Sequence, residues 1–263
     1  MITLLTDFGL SDHYVAAMKG VILSICPGVQ IVDISHDVTP YAIAEAAYTL
    51  SQTWKYFPPG TIHVAVVDPG VGSARRPLLA EAGGHYFVGP DNGIFTLAME
   101  AVSAYSGRHI TASEYFHHPV SDTFHGRDIF APVAARLAVG VPPADFGPLI
   151  NDAVRLESAH PTQIDAGVWR GTVLKVDRFG NIITNFSSEM FGYIRRQPFL
   201  MGFSGSIVAL YRTGYHSEKT GQPFVLAGSG GFLEVSMNQG NAASVLNVTV
   251  GAPIGLQAIP PVS

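Results

Sequence analysis

An acidic and a basic side chain flank a tight loop in the first third of the chain. Residues 61–76 read Thr-Ile-His-Val-Ala-Val-Val-Asp-Pro-Gly-Val-Gly-Ser-Ala-Arg-Arg. The apolar run before Asp68 is short and bounded by turn residues, which predicts a buried strand. Ligands bind beyond the carboxyl ends of strands in open α/β sheets. Asp68 and one of the two arginines, Arg75 or Arg76, could therefore act on a ligand. The alternative is that Asp68 only caps the turn and both arginines are solvated.

Further polar residues follow other predicted strand and helix boundaries. The run 2–5 ends in Thr6-Asp7-Phe8-Gly9, where the Asp7 carboxylate can accept both hydroxyls of a ribose, or form an Asx-turn. Asp12 precedes a helix-like segment and is either its N-cap or a ligand contact. Tyr41, at the start of the next predicted helix, could pack against a ribose or base, or be a half-buried surface aromatic.

Two later loops of the first half also carry polar residues. Thr-Phe-His-Gly-Arg-Asp, residues 123–128, contains a histidine that can exchange protons near neutral pH. A structural role for His125 is the alternative. Gly-Pro-Asp-Asn-Gly, residues 89–93, is a sharp turn before a predicted helix. Asp91 and Asn92 are therefore candidates for its N-terminal cap.

The second half contains Val-Asp-Arg-Phe-Gly-Asn, residues 176–181, between two predicted strands. Asp177 can bind an ammonium group, Phe179 can stack on a base, and the Asn181 amide can hydrogen-bond to a purine edge. A hairpin with a Gly-Asn turn is the alternative. The Gly-Ser-Gly-Gly run 228–231 can present backbone N–H groups to a carboxylate, or form an ordinary hairpin.

The sequence predicts two domains that would position these residues. Up to residue 140, strand-like runs alternate with helix-like segments, which predicts an α/β domain with a mainly parallel central sheet. The strand-like runs are 2–5, 29–34, 62–67, 78–80 and 86–88, and the helix-like segments are 13–26, 42–56, 92–102 and 128–139. Residues 141–167 contain several prolines with little periodicity, which predicts a linker. Residues 168–263 predict an all-β, barrel- or sandwich-like domain, with short runs at 171–176, 181–185, 206–210, 224–226, 232–236 and 243–250.

Composition excludes several classes of protein. The 263 residues are 47% hydrophobic and 13% charged, which is typical of a well-packed globular protein. The net charge of −5 without a basic stripe argues against a nucleic-acid or membrane-surface partner. The single cysteine, Cys26, excludes an intramolecular disulfide and fits a reducing compartment. We find no signal-peptide pattern or membrane-spanning run, so we expect a cytoplasmic protein.

Seven motifs in a fixed order carry a family resemblance. They are Asp-Phe-Gly after the first strand, Cys-Pro at the first helix end, Val-Asp-Pro-Gly-Val-Gly with Arg75, Gly-Pro-Asp-Asn-Gly, Phe-His-Gly-Arg-Asp, Asp-Arg-Phe-Gly-Asn and the late Gly-Ser-Gly-Gly. This set, which covers nearly the whole chain, resembles the S-adenosylmethionine (SAM) hydrolases. They are also called SAM hydroxide adenosyltransferases and are related to fluorinating and chlorinating enzymes.

The resemblance implies an activity, an assembly and residue roles. It implies that SAM and water give adenosine and L-methionine without a cofactor or metal, in a homotrimer. Active sites in the family lie between one subunit's N-terminal domain and a neighbour's C-terminal domain. Three residues match the water-activating trio of the family, namely Asp68, Arg75 and His125. Eight match substrate contacts, namely Asp7 (ribose diol), Tyr41 (ribose pocket), Asp12 and Asp177 (methionine ammonium), Ser229 (methionine carboxylate), Phe179 and Asn181 (adenine), and Tyr215 (a further aromatic contact).

Asp68 separates the hydrolases from their halogenating relatives, which carry a tyrosine at this position and lack the trio. The long loop that the fluorinating branch inserts after the third strand is absent here, whereas Gly126 also resembles the chlorinating branch. Gly230 departs from the arginine of the fluorinating enzyme. Binding of the methionine carboxylate would therefore depend on Ser229 and backbone N–H groups.

The chemistry that the resemblance implies is consistent with this residue set. The sulfonium leaves as a neutral thioether, so displacement at the ribose C5′ requires an oriented water rather than a metal. We expect Arg75 to lower the pKa of that water. A carboxylate that is paired with arginine is a weaker base. We therefore expect Asp68 chiefly to orient the water and His125 to receive its proton.

Two other functions are compatible with the same residues. One is a metal-dependent nucleotidase or nucleoside hydrolase with Asp7, Asp12, Asp68 and Asp91 as ligands. Chelators would inhibit such an enzyme and would not inhibit SAM hydrolysis. The other is a non-catalytic adenosine-binding module, which would bind adenosine tightly and release no methionine from SAM.

Overall fold

The computed structural model describes residues 1–203, 205–217 and 221–259. The chain divides into two compact units after Leu156. The first unit contains strands β1 (Ile2–Thr6), β2 (Ile31–Ser35), β3 (Ile62–Val66), β4 (Pro77–Ala82), β5 (His85–Pro90), β6 (Tyr105–His109) and β7 (Leu149–Ile150). Its helices are α1 (Tyr14–Ile25), α2 (Ile43–Ser51), α3 (Thr96–Glu100) and α4 (Ala131–Ala138). No helix among the described residues combines the length and apolarity that crossing a lipid bilayer requires.

The sheet of the first unit is mixed, with the order β2-β1-β3-β5-β4-β6-β7. The prediction of a mainly parallel sheet is therefore only partly correct. The pairs β1–β2, β1–β3 and β3–β5 are parallel, whereas β4–β5, β4–β6 and β6–β7 are antiparallel. The reason is a two-residue hairpin between β4 and β5, in which Gly83 and Gly84 have φ angles of +59° and +78°. Only glycine adopts two such angles readily, and this turn reverses the chain within the sheet.

The parallel part of the sheet has helices on both faces. Strands β1 and β3 are buried along their whole length. Their apolar runs therefore lack the alternation of a half-exposed strand, as is usual for parallel strands. One hydrophobic cluster includes Met18 and Ile22 of α1 with Val133 of α4. A separate cluster includes Leu50 of α2 with Ala98 of α3. This layering directs the carboxyl ends of β1 and β3, and the polar residues that follow them, to one edge of the sheet.

The second unit is an antiparallel, barrel-like sheet. Its strands are β8 (Thr162–Asp165), β9 (Val168–Val176), β10 (Ile182–Ser187), β11 (Phe199–Phe203), β12 (Ser206–Val208), β13 (Pro223–Ala227), β14 (Phe232–Met237) and β15 (Pro253–Ala258). Seven strands follow the order β12-β11-β15-β9-β10-β14-β13, and β8 pairs with β9. The backbone after β12 reaches β13, where Arg212 N donates to Val225 O and Val225 N donates to Leu210 O, at 2.9 and 2.7 Å. These contacts join the edge strand β13 to the segment that follows the other edge strand, β12, so the sheet nearly closes into a barrel.

One predicted strand of the second half is a helix. Residues 243–250 look strand-like by composition, but Ala242–Leu246 forms helix α5. The Asn241 side chain accepts a hydrogen bond from Ser244 N at 2.8 Å, which caps the helix. The helix ends at Asn247, whose φ of 52° is left-handed. Local capping therefore outweighs the β propensity of the valines.

Other segments differ in extent from their predictions. Residues 141–156 lie within the first unit and contain β7, and β8 lies within 157–167. The predicted helix 92–102 is only α3, because Gly93 has a φ of +91° and the chain is still turning there. Strands β6, β11 and β15 were not predicted. Residues 260–263, the end of the predicted second domain, lie outside the described residues.

A buried histidine pair lies in the core of the first unit, at the amino ends of β3 and β5 and away from their carboxyl ends. His63 Nδ1 hydrogen-bonds to Thr3 Oγ1 at 2.8 Å, and its Nε2 lies 3.2 Å from His85 Nδ1. Burial, with the neighbouring His85, lowers the pKa of His63 to about 3. The ring is therefore neutral in the folded protein near pH 7, although an unfolded histidine titrates near 6.5.

This pKa difference predicts acid destabilisation. Below pH 6.5 the unfolded chain binds a proton at residue 63 that the folded chain does not bind, so stability falls as the pH falls towards 3. Between pH 7 and pH 5 we expect His63 to account for a loss of about 2 kcal/mol in the free energy of unfolding. Urea unfolding of the wild type and of His63→Gln at both pH values measures this. The variant should lose less stability than the wild type, and equal losses would contradict the prediction.

Candidate active site

The loop between β3 and β4 brings Asp68 and Arg75 into direct contact. Arg75 Nε lies 2.9 Å from each carboxylate oxygen of Asp68, and Arg75 Nη2 also donates to Oδ2. Both side chains are largely buried, with 5% of Asp68 and 10% of Arg75 exposed. The turn that permits this is narrow, because Val71 N donates to Asp68 O and Ser73 N to Gly70 O. A Cβ on Gly70 would lie 3.3 Å from Arg75 Cγ, which leaves little room for a larger residue.

His125 joins the pair from a different part of the chain. It directly precedes a π-helical turn, Gly126–Phe130, that leads into α4. Its Nδ1 lies 2.9 Å from Arg75 Nη2. A guanidinium can only donate hydrogen bonds, so Nδ1 accepts and the neutral ring carries its proton on Nε2. Burial, and next the charge of Arg75, lower the pKa of His125 below its ordinary value. The structure thus brings the three predicted residues Asp68, Arg75 and His125 together in one connected chain.

Asp7 and Tyr41 lie beside this chain. Asp7 follows β1, and its Oδ2 accepts a hydrogen bond from Tyr41 N at 2.9 Å. Burial, and to a lesser extent the charge of Asp68, raise the pKa of the Asp7 carboxyl group. Tyr41 has a φ of +68°, which is uncommon for a residue other than glycine. The residue is 72% exposed, so its side chain is available for contact with a ligand.

A cavity of about 350 Å³ connects these residues. Asp7, Tyr41, Asp68 and His125 line it, together with Phe8, Tyr14, Pro40, Val66, Val71, Thr123, Phe124 and Gly126. Arg75 is not among the lining residues. It contacts the side chains of Asp68 and His125, which do line the cavity. The cavity therefore combines two carboxylates and an imidazole with a largely apolar wall.

The aromatic part of that wall was not predicted from the sequence. The rings of Phe8, Tyr14 and Phe124 pack against one another with centroid separations of 5.1 to 6.1 Å. Phe8 and Phe124 are each adjacent to a predicted polar residue, Asp7 and His125. The sequence signal that could have identified them is an aromatic residue next to a polar residue that follows a strand or lies in a loop.

The structure does not place Asp12 or Asp91 at a helix cap or in the cavity. Asp12 is exposed, does not line the cavity and does not cap α1, whose N-cap residue is His13 without a side-chain hydrogen bond. Asp91 and Asn92 do not cap a helix either, because α3 begins four residues after Asn92 with Phe95 at its N-cap. Asp91 instead forms an ion pair with Arg76, with 2.7 Å between Asp91 Oδ2 and Arg76 Nη2.

The four carboxylates of the metal-site alternative are not gathered around one point. Asp7 and Asp68 share the cavity, but Asp12 and Asp91 are not among its lining residues. The described part of the chain contains no group of three or more His, Cys, Asp or Glu residues placed to hold a metal ion.

In the second unit, Asp177 organises the loop between β9 and β10. Its Oδ1 accepts hydrogen bonds from Phe179 N and Asn181 N, each at 2.9 Å, and its Oδ2 accepts from Asn181 Nδ2 at 2.8 Å. A Cβ on Gly180, whose φ is +84°, would lie 2.2 Å from the Asn241 side chain. The loop therefore requires glycine at this position. Phe179 is left 76% exposed, while Asn181 is buried.

These residues line a second cavity, of about 650 Å³. Tyr215 also lines it, as do the unpredicted residues Met237, Asn238, Gln239 and Gly240. Ser229 is exposed and is not among the lining residues, so the structure does not bring it together with Asp177.

Glu234 on β14 was not predicted as a site residue. It is 8% exposed and hydrogen-bonds to Tyr215, and its carboxyl group packs directly on Gly228. Burial, followed by the charge of Asp177, raises the pKa of Glu234. A charged glutamate between Leu233 and Val235, in a mostly apolar strand, is the sequence signal that could have identified it.

Comparison with known proteins gives a consistent result for both units. Residues 2–147 match the SAM hydroxide adenosyltransferase N-terminal domain, and residues 171–255 match the C-terminal domain. The (R)-S-adenosyl-L-methionine hydrolase of Thermus thermophilus is 39% identical over 96% of this chain and 97% of its own. The fluorinase of an Actinoplanes species is 26% identical over 97% and 96% of the two chains.

A solved structure supports the same relationship. The crystal structure of an uncharacterized conserved protein from Thermotoga maritima superposes with a TM-score of 0.85 at 36% identity, over 98% of this chain and 100% of the other. With both domain matches covering most of the sequence, the protein belongs to the SAM hydroxide adenosyltransferase family.

Proposed function

We propose that this protein hydrolyses SAM to adenosine and L-methionine. The observation that carries the proposal is the chain of Asp68, Arg75 and His125, of which Asp68 and His125 line a cavity together with Asp7. The names of relatives that match nearly the whole chain point to the same reaction. Asp68 also favours water over halide, because a carboxylate can hold and deprotonate a water but repels an anion.

The reaction is a displacement at the ribose C5′. A water oxygen forms a bond to C5′ while the C5′–S bond breaks, and its electron pair stays on sulfur, which becomes the neutral thioether of methionine. The water loses one proton. The protein must therefore hold a water in line with the C5′–S bond and accept that proton.

The geometry suggests how the three residues divide this work. Asp68 lines the cavity and carries the negative charge, so it orients the water and is the first acceptor of its proton. Arg75 lies behind Asp68 and holds both it and His125 in place. His125 accepts a hydrogen bond from Arg75 at Nδ1, so its Nε2–H is free to donate to the water or the substrate. This division differs from the expectation that His125 receives the proton.

The remaining residues are proposed as substrate contacts. Asp7 binds the ribose hydroxyls, with Tyr41 against the ribose. Asn181 and Phe179 bind adenine, and the Asn181 carbonyl oxygen is suited to accept from an amino group because its Nδ2 already donates to Asp177. Asp12 and Asp177 bind the methionine ammonium, Ser229 binds the methionine carboxylate, and Tyr215 supplies a further aromatic contact.

We further propose that the reaction requires no metal or cofactor and that the protein is a homotrimer. A sulfonium is already a good leaving group, and both oxygens of Asp68 are engaged by Arg75. Neighbouring copies would contribute the two sets of substrate contacts to each active site. The mass of the protein in solution tests the trimer.

Product analysis tests the reaction. We expect purified protein incubated with SAM and EDTA to release adenosine and methionine in equal amounts, with or without chloride. Because the Thermus relative is named for the R form of SAM, both sulfonium epimers should be assayed. Loss of activity in EDTA would support a metal-dependent hydrolase instead. Tight adenosine binding without methionine release would support a binding module, and a 5′-chloro product would overturn the role given to Asp68.

A further inference from the structure

The turn after β5 touches the Asp68–Arg75 loop at both of its ends. At the entrance, Asn92 Nδ2 donates to the carbonyl oxygen of Val67, the residue before Asp68, at 2.9 Å. At the exit, Asp91 Oδ2 accepts from Arg76 Nε and Nη2 at 2.9 and 2.7 Å, and Asp91 N donates to Arg76 O at 2.9 Å. Two consecutive residues thus hold the residues that flank the loop.

The turn is itself rigidly placed. Gly89 lies so close to β3 that a Cβ there would be 2.3 Å from Ala65 O. Asn92 Oδ1 accepts from Ile94 N at 3.2 Å, which fixes the side-chain amide that reaches Val67. The second oxygen of Asp91 accepts from Val154 N at 2.8 Å, and Arg76 Nη1 donates to Asp152 Oδ1 at 2.8 Å. The turn is therefore secured to β3 on one side and to residues 152–154 on the other.

We propose that Asp91 and Asn92, here called the loop anchor, are positioning residues for the hydrolysis. They hold the two ends of the Asp68–Arg75 loop at a fixed separation, so that Asp68 faces the cavity while Arg75 reaches both Asp68 and His125. This inference rests on the proposed function, because it assigns the anchor to the reaction that the loop performs.

Burial of the ion pair favours a positioning role over a purely stabilising one. The Asp91 side chain is 1% exposed and that of Arg76 is 27% exposed. Removing such charges from water offsets much of their attraction, so a buried pair is a weak stabiliser compared with apolar packing. Its directional hydrogen bonds, in contrast, fix geometry closely. Water activation needs this, since a displacement of about 1 Å can lower a rate about 100-fold.

The test uses Asn92→Asp, which keeps the acceptor for Ile94 N but replaces the donor to Val67 O with an oxygen. Arg76→Lys is the second variant, because lysine keeps the charge but cannot make the forked contact with Asp91. Thr96→Val is the matched control. It removes the partly buried hydrogen bond of 2.9 Å from Leu156 N to Thr96 Oγ1, which lies close in sequence to residues 152–154 and does not involve the Asp68–Arg75 loop.

We expect Asn92→Asp and Arg76→Lys, here called the anchor variants, each to lower kcat about tenfold with KM for SAM within about twofold. We expect Thr96→Val to leave both constants near their wild-type values. The second readout is the pKa of His125, followed by NMR in the full-length protein. Burial lowers the pKa of His125 most, and of the four charged groups that act on it, Arg75 lowers the pKa whereas Asp68, Asp128 and Asp122 raise it. Displacement of Arg75 should therefore raise the pKa of His125 in the anchor variants only.

Two results would overturn the proposal. One is an anchor variant with wild-type kcat and wild-type His125 pKa, and the other is an equal loss of kcat in Thr96→Val. Absence of adenosine release by the wild type would instead contradict the proposed function. The His125 titration needs no turnover and would still decide whether the anchor holds the loop.

Discussion

Replacement of Asp68 by asparagine should lower kcat for SAM hydrolysis about 1000-fold and leave the Kd for SAM within about threefold. Asparagine has nearly the same shape but no negative charge, so it can neither take the proton of the water nor form an ion pair with Arg75. Single-turnover product analysis gives the rate, and calorimetric titration with SAM gives the affinity. The prediction separates a residue that acts on the water from one that holds the substrate.

Asp122→Asn is the matched control for this experiment. Asp122 is a second carboxylate close to His125, but unlike Asp68 it is exposed and is not a cavity-lining residue. Its replacement by asparagine removes one negative charge near the trio without removing a group that lines the cavity. Because solvent and salt screen an exposed charge, kcat should change by less than about twofold. A kcat of Asp68→Asn within tenfold of wild type would show that another group accepts the proton.

Replacement of His125 by alanine should lower kcat about 100-fold and alter SAM affinity much less. The alanine removes the acceptor for Arg75 Nη2 and the donor at Nε2, both of which orient groups around the water. His125→Asn should recover part of the rate, because its side-chain carbonyl can replace Nδ1 as an acceptor. An unchanged rate in the alanine variant would remove His125 from the mechanism.

The pH dependence of kcat provides a second test of His125. The ring must be neutral to accept the hydrogen bond from Arg75, and burial beside Arg75 lowers its pKa. The neutral form therefore persists below pH 6.5, and kcat should decline only as the pH falls through this lowered pKa. His125→Asn should lack that decline, since asparagine does not titrate. A wild-type decline centred above pH 6.5 would contradict the assignment.

Much of the first unit follows from local sequence. The apolar runs of β1 and β3 and the helical spacing of α1 predict their elements to within one or two residues. Each is buried on at least one face, so the pattern of apolar residues directly reflects the packing. The polar residues placed at the ends of β1 and β3 also lie at one cavity, because parallel neighbours end at the same edge of a sheet.

The pattern of apolar residues does not predict strand β6 or helix α5. Tyr-Ser-Gly-Arg-His lacks the apolar alternation of a strand, yet it forms β6 because β4 offers it an edge to pair with. The predicted strand 243–250 overlaps α5, which forms because Asn241 caps a helix there. Strand β6 depends on a partner strand that a window of neighbouring residues does not include. Helix α5 depends on a local cap that the run of apolar residues does not reveal.

The sequence by itself determined the two-domain class and the family, and it predicted Asp68, Arg75 and His125 as the water-activating trio, because these depend on residue types in a fixed order. Only the tertiary structure decided how the trio is connected. Arg75 is placed behind Asp68 and donates to His125 Nδ1, and Asp91 and Asn92 hold the loop rather than cap a helix. These contacts join residues that are up to 50 positions apart. Their hydrogen-bond directions, and hence the proton positions and pKa values, arise only when the strands that carry them are packed into one sheet.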